Sequence, residues 1–220
     1  MIITIDGPAG SGKSTAARNL AEALGIAYLD TGATYRAITL KALREGVDLA
    51  DESALAEVAR GMDLKLIPEA DGLRVLLDGQ DVSREIRSSE VSDNSHYAGR
   101  SPKVRAVLVN LQRRIGAELG DFVAEGRDQG SVVFPHADVK FYLNASADVR
   151  ARRRCADLEA AGEKPDFQQV RRAILARDRH DRTRAVAPLV KPEGAIEINT
   201  DHNTMEQTAA QLLAHVEAGS

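Results

Sequence analysis

The chain has 220 residues, 43% of them hydrophobic and 28% charged, with a net charge of −4. That is enough for one α/β domain with a sizeable core, or for two small ones. The negative balance gives no global field for nucleic acid or an anionic membrane, so any anion site must be built locally. A single cysteine, Cys155, excludes an internal disulfide and a multi-cysteine zinc cluster, and no stretch is long and apolar enough to span a bilayer.

Ile2 to Ile5 is a β-branched run that suits a buried strand. The chain enters that strand at once, so no leader is expected and a cytoplasmic protein follows. Gly7 to Ser14 reads Gly-Pro-Ala-Gly-Ser-Gly-Lys-Ser, a residue-for-residue fit to G-x-x-x-x-G-K-[ST]. Ala16, Ala17, Leu20, Ala21 and Leu24 then recur at helical spacing. Strand, glycine loop and helix come in the order of a phosphate-binding loop. Gly7, Gly10 and Gly12 let the backbone approach phosphate oxygens, and the helix dipole favours the anion. The stretch Gly7, Pro8, Ala9, Gly10, Ser11, Gly12, Lys13, Ser14 and Thr15 is therefore expected to hold ATP. Lys13 would meet the β- and γ-phosphates, and Ser14 would ligate Mg²⁺. A glycine turn before a helix with a solvated lysine is the plainer alternative, and the matched flanks weigh against it.

Ile26 to Leu29 predicts a second strand, and Asp30-Thr-Gly-Ala-Thr-Tyr-Arg36 opens a helix to about Arg44, with Thr31 as N-cap and Gly46 as the stop. Asp51 caps a helix with Leu55, Val58 and Met62 on its apolar side. From Asp63 the texture changes to strands 64–67 and 73–77, separated by a turn over 68–72, with a short strand near 80–82. These read as a small antiparallel insert. Helical patterns resume at 89–98 and again at Ser101-Pro102, a cap followed by a proline at the first helical position.

Phe122-Val-Ala124 predicts a third parallel strand ending in Glu125-Gly-Arg-Asp-Gln-Gly130; Val139 to Leu143 predicts a fourth, and Ala195 to Ile198 a fifth. Arginine-rich helices start near Ala147 and Phe167, and a last helix near Thr204. Strands alternate with helices, which makes the class α/β with a parallel sheet. Ligands of such sheets bind at the carboxyl ends of the strands. Asp6, Asp30 and Arg127-Asp128 fall there. Arg127 suits a phosphate, and Asp128 a metal's water shell or a substrate donor. A local surface pair is the alternative for these two.

Ten arginines lie between Arg150 and Arg184. Arg177, Asp181 and Arg184 share one helix face at i, i+4, i+7. As an exposed ion pair they would be worth only ~0.3–0.5 kcal/mol. An RNA-binding face is a second alternative, opposed by the interleaved acids Asp157, Glu159, Glu163, Asp166 and Asp178 and by scarce aromatics. Arginines closing over a transferred phosphoryl group fit the run directly.

With these motifs in hand the sequence resembles the bacterial cytidylate kinases of the nucleoside monophosphate kinase superfamily over nearly its whole length. Ile5 to Ser14, Asp30 to Arg36, Pro102 to Arg105, Glu125 to Pro135 and Arg177 to Pro188 carry the likeness. It implies a three-layer P-loop fold with a five-stranded parallel sheet, one domain over 1–220, a monophosphate-binding insert over 62–98 and a short helical lid at about 150–166. It implies transfer of the γ-phosphoryl of MgATP to CMP, with dCMP as a further acceptor, by a monomer without nucleic-acid or membrane partners. The family pattern assigns Arg36 and Arg127 to the acceptor phosphate, and sets Thr31 and Asp128 at the acceptor. Arg105, Arg184 and Ser95 or His96 would read the base; Arg177 and Asp181 would meet the sugar. Lys13, Arg127, Asp128 and the lid arginines Arg152, Arg153 and Arg154 would carry catalysis. Gln129 and Ser131 stand where the family has an apolar residue and a threonine. Another P-loop kinase with a different acceptor is the first rival. A GTPase is a weaker one, because no Asn-Lys-x-Asp guanine motif is present.

Overall fold

The computed structural model describes residues 1–69, 72–160 and 162–219. In chain order the elements are β1 (Ile2–Asp6), α1 (Lys13–Leu24), β2 (Ala27–Asp30), α2 (Gly32–Arg44), α3 (Glu52–Gly61), β3 (Leu64–Glu69), β4 (Gly72–Leu77) and β5 (Gln80–Asp81). A 3₁₀ turn (Glu85–Arg87) follows, then α4 (Ser89–Arg100), α5 (Pro102–Leu119), β6 (Phe122–Gly126), a π-helical turn (Gln129–Val133) and β7 (Val139–Asn144). The chain closes with α6 (Ala147–Ala160), α7 (Phe167–Thr183), β8 (Ile196–Asn199) and α8 (Met205–Gly219).

The main sheet is parallel, in the order β2-β6-β1-β7-β8. Ile3 pairs with Val123 and Ile5 with Glu125. Alternation then sends Ile3, Ile5 and Val123 to one face, against Ala16, Ala17 and Leu20 of α1 and Leu212 and Val216 of α8. Phe122 and Ala124 go to the other face, against Ala33, Ala37 and Leu40 of α2. Both faces of the sheet are covered, which is why its strands read as continuous apolar runs. A further cluster joins Ile38 and Ala42 of α2 to Leu55, Val58, Ala98, Val104 and Leu108 of α3, α4 and α5. The order puts β6 between β1 and β2, so the carboxyl end of β6 faces the glycine loop on one side and the start of α2 on the other.

β3, β4 and β5 form the separate antiparallel sheet expected from the insert. The tip of its predicted 68–72 turn, Ala70 and Asp71, lies outside the described residues. Asp51 and Ser101 cap α3 and α5 as their sequences predict. Two local expectations are corrected. Thr31 precedes α2 but its side chain does not cap it; Asp30 Oδ1 accepts from the Ala33 amide at 3.1 Å instead, and Thr31 Oγ1 donates to the Glu125 carbonyl at 2.8 Å. α7 ends at Thr183, so Arg184 sits just past the helix with an extended backbone and is not on its face. No helix among the described residues is long and apolar enough to cross a membrane.

Candidate active site

The glycine loop links β1 to α1. A Cβ on Gly7 would lie 2.1 Å from the Leu143 carbonyl oxygen, so the loop passes β7 at a distance that a side chain would forbid. Gly12, at φ 86°, precedes α1 without any side-chain cap. The first amides of α1 are thus left for an outside acceptor, at the positive end of the helix. Lys13 is buried; its Nζ donates to the Pro8 carbonyl at 3.3 Å and lies 3.9 Å from Glu125 Oε2. Burial, and next the Arg127 charge, push the Lys13 ammonium down to about 7. Ser14 Oγ donates to Glu125 Oε1 at 2.7 Å.

In front of this loop lies a cavity lined by β6, α2, α4 and α7. Its carboxylates and guanidiniums come in pairs. Arg36 Nη2 donates to Asp30 Oδ2 at 2.7 Å, and Arg127 Nε to Asp181 Oδ2 at 3.0 Å. Arg105 Nη2 donates to Asp128, its Nη1 to the Tyr35 hydroxyl at 2.9 Å, and Arg184 lies 3.8 Å from Asp128. Burial pushes the Asp181 carboxyl up, but Arg127 and then Arg177 outweigh it and hold it below the ordinary range. Burial acts on Asp30 in the same way and is outweighed by Arg36 and then Arg87. Arg177 is exposed by area yet densely surrounded; that crowding, and then Arg127, press its guanidinium below its ordinary value. Lys13, Arg36, Arg127 and Arg177 all line the cavity. Three guanidiniums and a lysine, beside carboxylates already engaged, make a site for a dianion.

A family model described as cytidylate kinase matches residues 3–218. The chain belongs to the cytidylate kinase family. It is thereby a nucleoside monophosphate kinase by family, a transferase. A cytidylate kinase of Caldanaerobacter subterraneus subsp. tengcongensis is 49% identical over 210 residues, 96% of this chain and 92% of that protein. One from Pelotomaculum thermopropionicum is 49% identical over 218 residues, 99% and 96% of the two chains. A solved shikimate kinase from Bacteroides thetaiotaomicron, at 14% identity, gives a TM-score of 0.51 over 99% of this chain and 98% of that one, a likeness of fold.

Of the residues expected at the site from the sequence, Thr31, Arg36, Ser95, His96, Arg105, Arg127, Asp128, Arg177, Asp181 and Arg184 line this one cavity together with Lys13 and Ser14. Ser95 Oγ is turned to the Ser92 carbonyl at 2.9 Å, and His96 Nδ1 lies 2.7 Å from the Asp93 carbonyl. Asp181 pairs with Arg127, not with its helical neighbour Arg177. The arginine triplet divides. Arg153 Nη1 donates to the Gly10 carbonyl at 3.4 Å, and its Nη2 to the Thr200 carbonyl at 2.6 Å; Arg152 and Arg154 are exposed and line no part of the cavity.

Sequence reasoning gave no role to Glu125 and no partners to Asp30 and Asp6. Glu125 is the carboxylate that meets Ser14, while Asp128 is held by Arg105. The place of Glu125 at a strand end beside the glycine loop is the signal that could have found it. Asp30 holds Arg36, and Asp6 holds the Gln129 and Gly130 amides at 2.8 Å each. The links of Glu125 and Asp6 join residues far apart in the chain, which no local pattern announces.

Proposed function

We propose that the protein transfers the γ-phosphoryl group of MgATP to CMP or dCMP, giving CDP or dCDP and ADP, in cytoplasmic pyrimidine nucleotide metabolism, as a monomer. The observation that carries this reading is the junction of a phosphate-binding loop with a base-sized polar pocket lined by Lys13, Arg36, Arg127 and Arg177. One domain over 1–220 would do the work, with the insert over 62–98 closing on the acceptor and a lid at about 150–166 closing on the donor.

Residues Gly7 to Thr15 would hold the donor phosphates, with Lys13 on the β- and γ-oxygens. The Ser14 hydroxyl and the Glu125 carboxylate form an oxygen donor set that fits a hard cation. Mg²⁺ held there would neutralise charge between the donor phosphates. Arg36 and Arg127 would take the acceptor phosphate, exchanging Asp30 and Asp181 for it, with Thr31 beside it. An oxygen of that phosphate forms the new P–O bond as the bond to ADP breaks. The nucleophile is already anionic, so positioning and charge stabilisation suffice and no strong base is needed. Arg153 would stabilise the transferring group, with Arg152 and Arg154 available if the lid folds further over.

Asp128 explains the choice of base. A carboxylate accepts from the exocyclic amine of cytosine and repels the carbonyl that uracil carries in its place. Arg105 and Arg184 would donate to the ring acceptors, with Ser95 or His96 at the rim. Asp181 would accept from the ribose beside Arg177. A coupled assay of ADP release with CMP, dCMP, UMP, AMP and GMP tests the reading. Turnover concentrated on CMP and dCMP is expected; a preference for AMP or GMP would overturn it.

A further inference from the structure

One buried ion pair stands outside the cavity, where the start of the lid segment meets α7. Arg150, in the first turn of α6, is 3% exposed, and Asp178 of α7 is 7% exposed. The guanidinium grips both carboxylate oxygens, Nη1 to Oδ1 at 2.9 Å and Nη2 to Oδ2 at 2.6 Å. Its Nε donates to the Ala145 carbonyl at 2.9 Å, just past β7. Its Nη1 also donates to the carbonyl of Ala9, inside the glycine loop, at 3.1 Å. The Arg150 Cβ lies 3.2 Å from where a Cβ on Gly10 would stand, so side chain and loop touch as well.

We infer that Arg150 and Asp178 are positioning residues, a joint that transmits occupancy of the donor loop to the acceptor wall on α7. The inference rests on the reading of the glycine loop as donor site and of the cavity as acceptor site. Asp178 follows Arg177 directly and precedes Asp181 by three residues, and those two line the acceptor cavity. α7 therefore turns one edge to the nucleotide and the next to Arg150. A forked guanidinium–carboxylate pair fixes orientation as well as distance. Wrapping of the loop around phosphates moves the Ala9 carbonyl, and Arg150 carries that movement to Asp178. Stability alone does not explain the pair, because apolar side chains of similar volume often serve a core equally well. A coupling of this kind is reciprocal: each substrate tightens the other by the same factor.

The test is calorimetric titration of CMP with and without a non-hydrolysable ATP analogue and Mg²⁺, on the unmodified protein and three variants. In the unmodified protein the analogue should tighten CMP by about fivefold or more, within the usual range of couplings between sites. Arg150→Met combined with Asp178→Met replaces the pair by apolar bulk; whatever it does to the affinity for either ligand alone, it should bring that ratio close to one. Arg150→Lys keeps the charge and loses the fork, and should give an intermediate ratio even if the double variant does not fold. Asp178→Asn keeps the shape and should also lower the ratio. An unchanged ratio in a folded variant, or a ratio of one in the unmodified protein, overturns the joint. Failure of CMP or of the analogue to bind the unmodified protein at all overturns the functional reading beneath it, a separate and recognisable result.

Discussion

Lys13 is buried beside Arg127, which disfavours its charge in the empty site. Its ammonium is pushed down to about 7 by burial and by Arg127, against an ordinary value of 10.5. At pH 8 it is therefore largely neutral in the empty site, and donor phosphates would restore its charge. Binding of ATP at pH 8 should draw a proton from solution. Calorimetry in buffers of different ionisation enthalpy measures that uptake, and Lys13→Met should abolish it. Arg184 and Asp181 part on a different axis. Both are largely buried and both engage neighbours across the cavity. Arg184→Met should lower kcat/KM for CMP by about 10–100-fold and narrow the preference over UMP, since a pocket built to hydrogen-bond its substrate loses discrimination with the donor. Asp181→Ala should move the CMP to dCMP ratio instead. Steady-state kinetics with CMP, dCMP and UMP at saturating ATP separates the two, and equal small effects on all three would show that these groups do not read the nucleotide. Residues of the glycine loop are legible from the sequence, because their motif is contiguous. Glu125 is not, because its partner Ser14 is 111 positions away and only strand order brings them together.

At the scale of the element, α6 shows how far a run of like residues can mislead. Arg152, Arg153 and Arg154 are consecutive, so they must point in three directions. Arg153 alone of the three bonds to the glycine loop. Arg153→Ala should lower kcat/KM for ATP by at least tenfold, while Arg152→Ala and Arg154→Ala change it less than threefold. Kinetics at varied ATP checks this, and three equal effects would count against the division. Element positions are otherwise well marked in the sequence, since the main strands are short apolar runs that close on a polar or charged residue or a glycine. The end of α7 is not, because Arg184 continues the helical spacing while its backbone has already turned extended. Periodicity reports which side chains could share a face, and the next turn of backbone decides whether they do.

At the scale of the whole molecule, Asp6 beneath the π-helical turn is a further buried titratable group. Asp6 is fully buried and pushed up to about 7, mainly by burial, although the Gln129 and Gly130 amides oppose the shift. Unfolded, it titrates near 3.8. Between those values the native state binds more protons than the unfolded chain, so this group's contribution to stability falls as pH rises through the window. The difference in Tm between the parent and Asp6→Asn should therefore shift against the parent between pH 5 and pH 7, and a difference flat across that range would show that Asp6 is ionised throughout. The layered architecture is legible from alternation of strand and helix, whereas the order of the strands is not, since it depends on crossovers that leave no mark in composition. That order has a consequence for distance. One strand, β6, meets the donor loop through Glu125, and the chain reaches the acceptor cavity through Arg127, two residues on. A parallel strand advances roughly 3.3 Å per residue, and reacting atoms have to approach within about 3–3.5 Å. The backbone of β6 is thus a ruler whose graduations are peptide bonds, and a single added peptide unit is as long as the gap to be crossed. Insertion of one glycine between Gly126 and Arg127 should leave donor binding within about threefold and abolish turnover of CMP, which nucleotide titration and the coupled assay would read side by side.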